Sequence, residues 1–209
     1  MKENGLVSTY TVKQYKVHKQ ICNNDKIDNK LKRNFNQEER MKVIVSDLTY
    51  VNVAGKWNYI CLMLDLYNRE IVGYAVGKHK DADLVRKAIT TIKYDLNKIE
   101  IFHTDRGNEF KNNIINEVLD TFKIDRSLSA KGCPYDNACS ENFFSIFKIE
   151  KLYRLGYIPA DKEEMDEIIE EYIDFYTNRR ISIALGGLTP KEYYDNYIEK
   201  KKRLTKLVS

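Results

Sequence analysis

Three acidic residues in this chain have the types and placements that metal-dependent chemistry on phosphate esters requires. Asp47 interrupts an apolar run, Asp105 follows a second one, and Glu141 comes after a further 35 residues in a helix-like run. Carboxylates that point to one place repel one another unless a cation joins them. Hard divalent ions such as Mg²⁺ bind carboxylate oxygens and keep positions open for water and phosphate. The three residues therefore suggest phosphodiester chemistry.

Each of the three acids also has an ordinary explanation. Asp47 fits a solvent-facing position on an edge strand, Asp105 begins a common turn sequence, and glutamates such as Glu141 are frequent in helices. An unpaired carboxylate in a central strand is costly, and a metal site would account for Asp47 there. The combination carries the hypothesis, because a strand, a strand end and a capped helix are three independent rigid supports for one site.

The runs that carry these residues predict an α/β domain. Three segments within residues 41–77 are rich in β-branched and aromatic residues and predict an antiparallel meander. Two further strands, over 99–105 and 123–129, alternate with helices, and this succession predicts parallel pairing. The predicted fold is a mixed sheet of about five strands flanked by helices.

Capping residues predict where the helices begin. Asp81 is placed as the N-cap of a helix whose apolar period extends to Leu96. Asp136 is placed as the N-cap of the helix that carries Glu141 and runs to about residue 153. A helix over 162–176 has an acidic face that is most simply solvated. Thr189, followed by a proline at the first helical position, predicts the last helix.

Composition and charge predict one folded core with basic ends. The chain has 209 residues, 43% of them hydrophobic, which suits one substantial core. The predicted division is a basic arm or linker over 1–40, a catalytic core over 41–198 and a basic tail over 199–209. The arm holds nine Lys or Arg against five Asp or Glu, so it could lie along nucleic-acid phosphates. On charge alone a solvated linker explains it equally well.

Other classes of protein are disfavoured by the sequence. No apolar run approaches the roughly 20 residues of a membrane span, and the N-terminus lacks the apolar region of a signal peptide. We therefore expect a cytoplasmic protein that does not contact the membrane. The four cysteines form no CxxC pair, so we expect neither disulfides nor a structural zinc site.

Helix geometry places two further polar residues near Glu141. Asn137 and Lys148 fall on or near the same helical face as Glu141. A lysine two turns beyond a metal-binding glutamate is well placed to contact a DNA phosphate. The alternative is that Lys148 lies on this exposed face by coincidence.

Taken together, these residues resemble the catalytic core of insertion-sequence transposases of the retroviral-integrase-like DDE group, of the kind encoded as a second reading frame. The resemblance covers roughly residues 29–198, in order and at the expected spacing. The matching blocks are SDLTYV at 46–51, DLYNREIVGYAVG at 65–77, HTDRGNEF at 103–110, SAKGCPYDNACSENFFSIFKIE at 129–150 and FYTNRRISIALGGLTPKEYY at 175–194.

The resemblance implies a ribonuclease H-like fold and a set of site residues. It makes Asp47, Asp105 and Glu141 the catalytic acids, which hold two Mg²⁺ ions, with Mn²⁺ as an alternative. It also implies DNA contacts and an active-site loop, and the candidates for these are Lys131, Gly132, Asn137, Lys148, Lys151, Arg179 and Arg180. The chain departs from the family pattern at residues 43–45, which replace a common tryptophan, and at residues 180–182, where Arg-Ile-Ser replaces Arg-Pro-His. The second departure weakens the case for DNA contacts near residues 178–183.

The function implied by the resemblance is metal-dependent cleavage and strand transfer of an insertion element's DNA. Two alternatives remain, a ribonuclease H-like nuclease that does not join strands, and a partial transposase that regulates without catalysis. Expected partners are double-stranded DNA and further copies of the chain. Residues 1–40 show no convincing pair of helices, so we expect a helix-turn-helix module, fused upstream or encoded separately, to choose the element ends.

Overall fold

Five strands form one mixed sheet in the computed structural model, which describes residues 27–110 and 112–208. The sheet order is β3-β2-β1-β4-β5. The first three strands pair antiparallel, whereas β4 pairs parallel with β1 and β5 pairs parallel with β4. The predicted mixed sheet is therefore confirmed. The strands are β1 (Val43–Val53), β2 (Lys56–Asp65), β3 (Ile71–Gly77), β4 (Ile101–Thr104) and β5 (Asp125–Leu128).

Helices cover both faces of the sheet. Alternate residues of each strand point to opposite faces, so the sheet supplies two apolar surfaces. One surface packs against α1 and α2, and the other packs against α3 and α4. The helices are α1 (Ala82–Thr90), α2 (Asn113–Thr121), α3 (Ala138–Glu150), α4 (Lys162–Asn178) and α5 (Pro190–Val208).

Short local signals fix the turn between β1 and β2 and the starts of two helices. Ala54 and Gly55 both have positive φ angles, of 50° and 73°, as a type I′ two-residue turn requires. The Asp81 carboxylate accepts the Leu84 N–H and caps α1 as predicted. Thr189 and Glu192 exchange reciprocal hydrogen bonds at the start of α5, which is a capping box.

Four predictions about helix bounds and cysteines are wrong. Asp136 is not the N-cap of α3, because residues Pro134–Asn137 form a 3₁₀ turn and the helix begins at Ala138. The helix ends at Glu150, before a separate 3₁₀ turn over Leu152–Arg154, and α1 ends at Thr90. Cys133 is disulfide-bonded, contrary to the expectation from cysteine spacing.

The ends of the chain differ in how much the structure describes. Residues 1–26 of the predicted basic arm lie outside the described residues. Residues 27–40 lie against the sheet, with Leu31 only 3% exposed and its N–H donated to Ser127 Oγ. The predicted tail over 199–209 continues α5 as far as Val208. Within the described ranges, no helix combines the length and the apolar character that crossing a bilayer requires.

Candidate active site

The sheet brings Asp47 and Asp105 to equivalent positions on neighbouring strands. The parallel register of β1 and β4 pairs Ser46 with Thr104, so each aspartate is the next residue along its strand direction. Asp105 directly follows the carboxyl end of β4, the edge at which α/β sheets place their ligands. Asp47 Oδ1 accepts the Leu48 N–H at 2.8 Å, and Asp105 Oδ1 accepts the Gly107 N–H at 2.9 Å.

Glu141 reaches the same region from the first turn of α3. The helix is held against the sheet by Phe143, Phe144 and Phe147, which are buried in the core on this face. At its start, the buried Asn137 donates from Nδ2 to the Ser46 carbonyl oxygen at 3.1 Å. This hydrogen bond joins the strand that carries Asp47 to the helix that carries Glu141.

The three carboxylates act on one another electrostatically. Burial, together with the charges of Asp105 and Glu141, raises the pKa of Asp47 to about 7, although a hydrogen bond from Leu48 N–H opposes the shift. Partial desolvation by the surrounding protein and the charge of Asp105 likewise raise the pKa of Glu141, although its side chain is exposed on one side. A like charge within a few ångströms disfavours the ionised form of a carboxylate. The structure therefore brings the three predicted acids into one region of mutual repulsion.

An oxygen-only donor set of this kind suits a hard divalent cation. The three side chains do not stand at ligand distances, since among residues 27–110 and 112–208 no three Asp, Glu, His or Cys side chains form an assembled metal cluster. The Glu141 side chain is exposed, so a change of rotamer is open to it. The chemistry and the repulsion fit a divalent ion, and the carboxylates would converge when such an ion binds.

Lys80 and Glu109 belong to this region, and the sequence reasoning does not single them out. Lys80 Nζ lies 2.9 Å from Glu109 Oε1, and Glu109 is only 7% exposed. The Lys80 charge opposes the raised pKa of Asp47. A Cβ atom on Gly107 would lie 2.2 Å from Glu109 Oε1, so a larger residue there would require the Glu109 carboxylate to move. Glu109 could have been found from the sequence, because it lies in the HTDRGNEF block together with Asp105. Lys80 could not, because only the sheet topology brings it to the site.

Four of the predicted DNA-contacting residues lie on the elements around the acids. Lys148 Nζ lies 4.7 Å from the centroid of the Tyr50 ring. Burial lowers the pKa of Lys148, and the Asp47 charge opposes this shift. Lys131 is exposed, and Gly132 has a φ of 73°, which lets the loop before α3 turn. Asn137, by contrast, is buried and occupied by its hydrogen bond to the Ser46 carbonyl.

The other three predicted DNA contacts are engaged in ion pairs. Lys151 pairs with Glu171 at 2.8 Å, and Arg179 pairs with Asp174 at 3.1 Å. Arg180 donates to both carboxylate oxygens of Glu150. DNA contact by Lys151, Arg179 and Arg180 remains a prediction, and in the present arrangement it would require these pairs to open.

The loop before α3 is anchored by the buried carboxylate of Asp136. Its Oδ2 accepts the Ala130 N–H at 2.9 Å, and its Oδ1 accepts from Arg33 Nε at 2.5 Å. Burial alone would raise the pKa of Asp136, but these two interactions and a hydrogen bond from Asn29 outweigh it and lower the pKa. Asp136 therefore fixes the loop and ties it to the segment that precedes the sheet.

Replacing Asp136 with asparagine is expected to lower the free energy of unfolding by about 1–3 kcal/mol at neutral pH, because a buried charge-assisted network loses its negative charge and one of its two acceptor oxygens. Since folding lowers the pKa of Asp136, its stabilising effect is complete at neutral pH and declines as the pH falls below about 4. Urea unfolding of both proteins over this pH range measures the difference. A difference that grows on acidification would contradict the assigned role.

Comparisons with known proteins point to one family. Two family models, both described as integrase core domain, match residues 37–134 and 141–198. The putative transposase InsK of insertion sequence element IS150 from Escherichia coli is 32% identical over 167 residues, which are 79% of this chain and 58% of that protein. Transposase InsF of insertion sequence IS3A, from the same bacterium, is 30% identical over 169 residues, which again are 79% of this chain and 58% of that protein. The chain thus spans about three fifths of the length of these curated relatives.

Solved structures show the same fold. The catalytic core domain of HTLV-2 integrase, determined in complex with magnesium, superposes with a TM-score of 0.57 at 14% identity, over 73% of this chain and 95% of that one. The catalytic core domain of BIV integrase gives the same TM-score at 17% identity. This likeness confirms the predicted ribonuclease H-like fold.

Proposed function

Because the chain belongs to the integrase core domain family, we propose that it is the catalytic part of an insertion-sequence transposase that cleaves and joins DNA strands. The observation that carries this proposal is that β1, the end of β4 and α3 bring Asp47, Asp105 and Glu141 into one region, where the charges of Asp105 and Glu141 raise the pKa of Asp47. Their mutual repulsion, together with the oxygen-only donor set, supports a divalent-ion site.

Asp47, Asp105 and Glu141 would hold two Mg²⁺ ions, with Mn²⁺ as a substitute. Bound ions of this kind supply activation of the attacking oxygen and stabilisation of charge on the leaving oxygen. The protein's own residues position the DNA. The Lys148 ammonium group, on the next turns of α3, would bind a phosphate near the acids, and Lys131 and Gly132 would lie along the strand.

No side chain is assigned as a nucleophile. Water attack would cleave the strand and release a 3′-hydroxyl, and this hydroxyl would then attack a second phosphodiester. In each step one P–O bond forms as another breaks, so the strand transfer needs neither a covalent protein intermediate nor an added energy source. The 15 tyrosines of the chain are accordingly given no role in the chemistry.

A strand-joining assay separates this proposal from its two alternatives. The purified protein is incubated with a target duplex and a labelled element end carrying a free 3′-hydroxyl, with Mg²⁺ or with EDTA. Joined products that require Mg²⁺ support a transposase. Hydrolysis without joining would indicate a ribonuclease H-like nuclease, and DNA binding without either reaction would indicate a regulatory or partial protein.

The expected partners follow from the proposed reaction. The protein would bind double-stranded DNA, both element ends and target, in the cytoplasm. Joining two ends requires them to be held together, which favours a multimer of this chain on DNA. Selection of the ends would come from a helix-turn-helix module, either fused upstream or encoded separately.

Divalent ions are expected to stabilise the protein through the three acids. In Mn²⁺ at about 100 times its Kd, the free energy of unfolding should rise by about 2.7 kcal/mol, because the ion binds only the folded chain. Asp47→Asn should abolish this gain. In EDTA the same variant should be at least as stable as the wild type, since one of three repelling charges is gone. Thermal unfolding with and without the ion measures both effects, and equal stabilisation of the two proteins would contradict the site.

A further inference from the structure

An open groove lined with aromatic rings lies beside the candidate active site. It has a volume of about 300 Å³, which is at the lower end of the range for clefts that bind small ligands. Its rings are unusually open to solvent for their size, with Trp57 62% exposed and Tyr153 74% exposed. We call this feature the aromatic groove, and define it by Tyr50, Trp57, Lys148, Tyr153, Tyr157 and Pro159.

The walls of the aromatic groove are held in place by the fold. Tyr50 and Trp57 are diagonal neighbours across the β1–β2 hairpin, and their rings meet edge to face at 5.2 Å between centroids. The tip of the hairpin is bound to the opposite wall, because Ala54 N–H donates to the Pro159 carbonyl oxygen at 2.7 Å. The groove therefore needs little ordering before it can bind a ligand.

Lys148 connects the aromatic groove to the candidate active site. Its ammonium nitrogen lies 4.7 Å from the Tyr50 ring centroid, while its charge interacts with that of Asp47. A strand whose phosphate is held by Lys148 near the acids would have its neighbouring nucleotides beside the exposed rings. The groove therefore lies beside the site on the same two elements, since β1 carries Asp47 and Tyr50 and α3 carries Glu141 and Lys148.

Charge distinguishes this groove from the larger cleft between α3 and α4. The larger cleft, of about 690 Å³, is lined by four acids (Glu150, Glu170, Glu171 and Asp174) and by two cations (Lys151 and Arg179), so its net charge is negative and disfavours a nucleic acid. Among the described residues that line the aromatic groove, one is a lysine and none is acidic. Rings beside a cation, without carboxylates, form the kind of surface on which the bases of single strands stack.

We propose that the aromatic groove binds unpaired nucleobases of the DNA strand that enters the candidate active site. Trp57 and Tyr153 would supply the stacking faces, and Lys148 would hold the adjoining phosphate. This inference rests on the proposed function, which is the reason for taking DNA as the ligand. It adds the requirement that the end of the strand be unpaired. Opening an end costs less when the freed bases find rings to stack on.

Trp57 is the single tryptophan of the chain, so its fluorescence reports on the aromatic groove directly. The wild-type protein is titrated in EDTA, which prevents turnover, with three duplexes. One is blunt, one carries a short unpaired overhang, and one carries the same overhang without bases. We expect quenching of Trp57 by the overhang with bases and little by the other two, because only bases can stack. Equal quenching by the overhangs with and without bases would overturn the proposal in favour of phosphate binding alone.

Variants of the groove give a second measurement, by an anisotropy assay with labelled DNA. Trp57→Ala should weaken binding of the unpaired overhang about tenfold, while Trp57→Phe should retain most of the affinity. Binding of the blunt duplex should be unchanged in both. The matched control is Phe175→Ala, which removes an exposed ring from the acidic cleft and should leave overhang binding as it is. Unchanged overhang binding by Trp57→Ala would also overturn the proposal.

Two comparisons keep this inference separate from the proposed function. Base-dependent quenching in a protein that joins no strands would support base binding in the groove and overturn the proposed function. Strand joining without base-dependent quenching would support the proposed function and overturn base binding in the groove. A second copy of the chain is the competing occupant. If Trp57 emission changes with protein concentration in the absence of DNA, in step with dimerisation seen by sedimentation, the groove is a protein interface and the proposal fails.

Discussion

Replacing Asp105 with asparagine is expected to abolish Mg²⁺-dependent cleavage and joining of DNA while leaving the fold intact. Asparagine removes the negative charge and keeps the shape of the side chain. The backbone contact survives, because an amide oxygen can accept the Gly107 N–H that Asp105 Oδ1 accepts at 2.9 Å. The variant therefore tests charge alone, and we expect activity to fall by a factor of about 10³ or more.

The proper control is an aspartate-to-asparagine change at a site without contacts to the acids. Asp120, exposed on α2, serves this purpose, and Asp120→Asn should retain full activity. DNA binding of Asp105→Asn should remain near the wild-type level, since binding depends mainly on phosphate contacts by basic residues. Circular dichroism and thermal unfolding establish that the variant is folded. Full activity in a folded Asp105→Asn protein would refute the assignment of the three acids.

Most of the fold could be predicted because its signals are local. The meander, the Asp81 cap and the Thr189 cap depend on residues close together in the chain, and the parallel half of the sheet is predicted from the local succession of strand and helix patterns. The start of α3 could not be predicted in this way. Asp136 has the sequence position of an N-cap, but its carboxylate is used by Ala130 and by Arg33, 103 positions away, and no local pattern contains that partner.

The candidate site shows the same division between local and long-range information. Asp47 stands out because an unpaired acid in an apolar strand needs a reason, whereas Asp105 and Glu141 stand out only in combination with it. Lys80 does not stand out, since an exposed lysine in a polar loop is ordinary, and it approaches the acids only because β3 and α1 place their connecting loop there. The aromatic groove likewise depends on the approach of residues 152–159 to the hairpin, which the sequence pattern does not contain.

Ion pairs decide which of the predicted basic residues have a charge available for contact with DNA. Arg180 was a candidate for DNA contact because of its charge and its place in a family block. In the structure its guanidinium group donates to both oxygens of Glu150, and Glu150 also accepts from the Tyr172 hydroxyl. Lys148 is different, since a ring rather than a carboxylate lies under its charge. Unlike Lys151, Arg179 and Arg180, Lys148 therefore keeps its charge available to a phosphate near the acids.

Asn137 is expected to be a positioning residue whose loss reduces activity by about 10- to 100-fold without reducing DNA affinity. Its Nδ2 group donates to the Ser46 carbonyl, and this bond spans from the residue before Asp47 to the residue before α3. Asn137→Ala leaves that carbonyl without its donor and frees the start of α3 to shift. A displacement of about 1 Å at a reacting group can cost about 100-fold in rate. The free energy of unfolding should also fall by about 1–3 kcal/mol.

Activity and stability must be separated to show that Asn137 acts through position. Asn113→Ala, on the exposed start of α2, controls for the loss of an amide, and should change neither quantity. The distinguishing measurement is Mn²⁺-induced stabilisation, which should be smaller in Asn137→Ala than in the wild type because Asp47 and Glu141 would no longer be held together. A variant that is less stable overall, yet gains as much from Mn²⁺ and reacts at the wild-type rate, would show that Asn137 supports only the fold. If Asn137→Ala instead reacts more slowly and gains less stability from Mn²⁺ than the wild type, a single hydrogen bond between β1 and α3 sets the separation of the two acids.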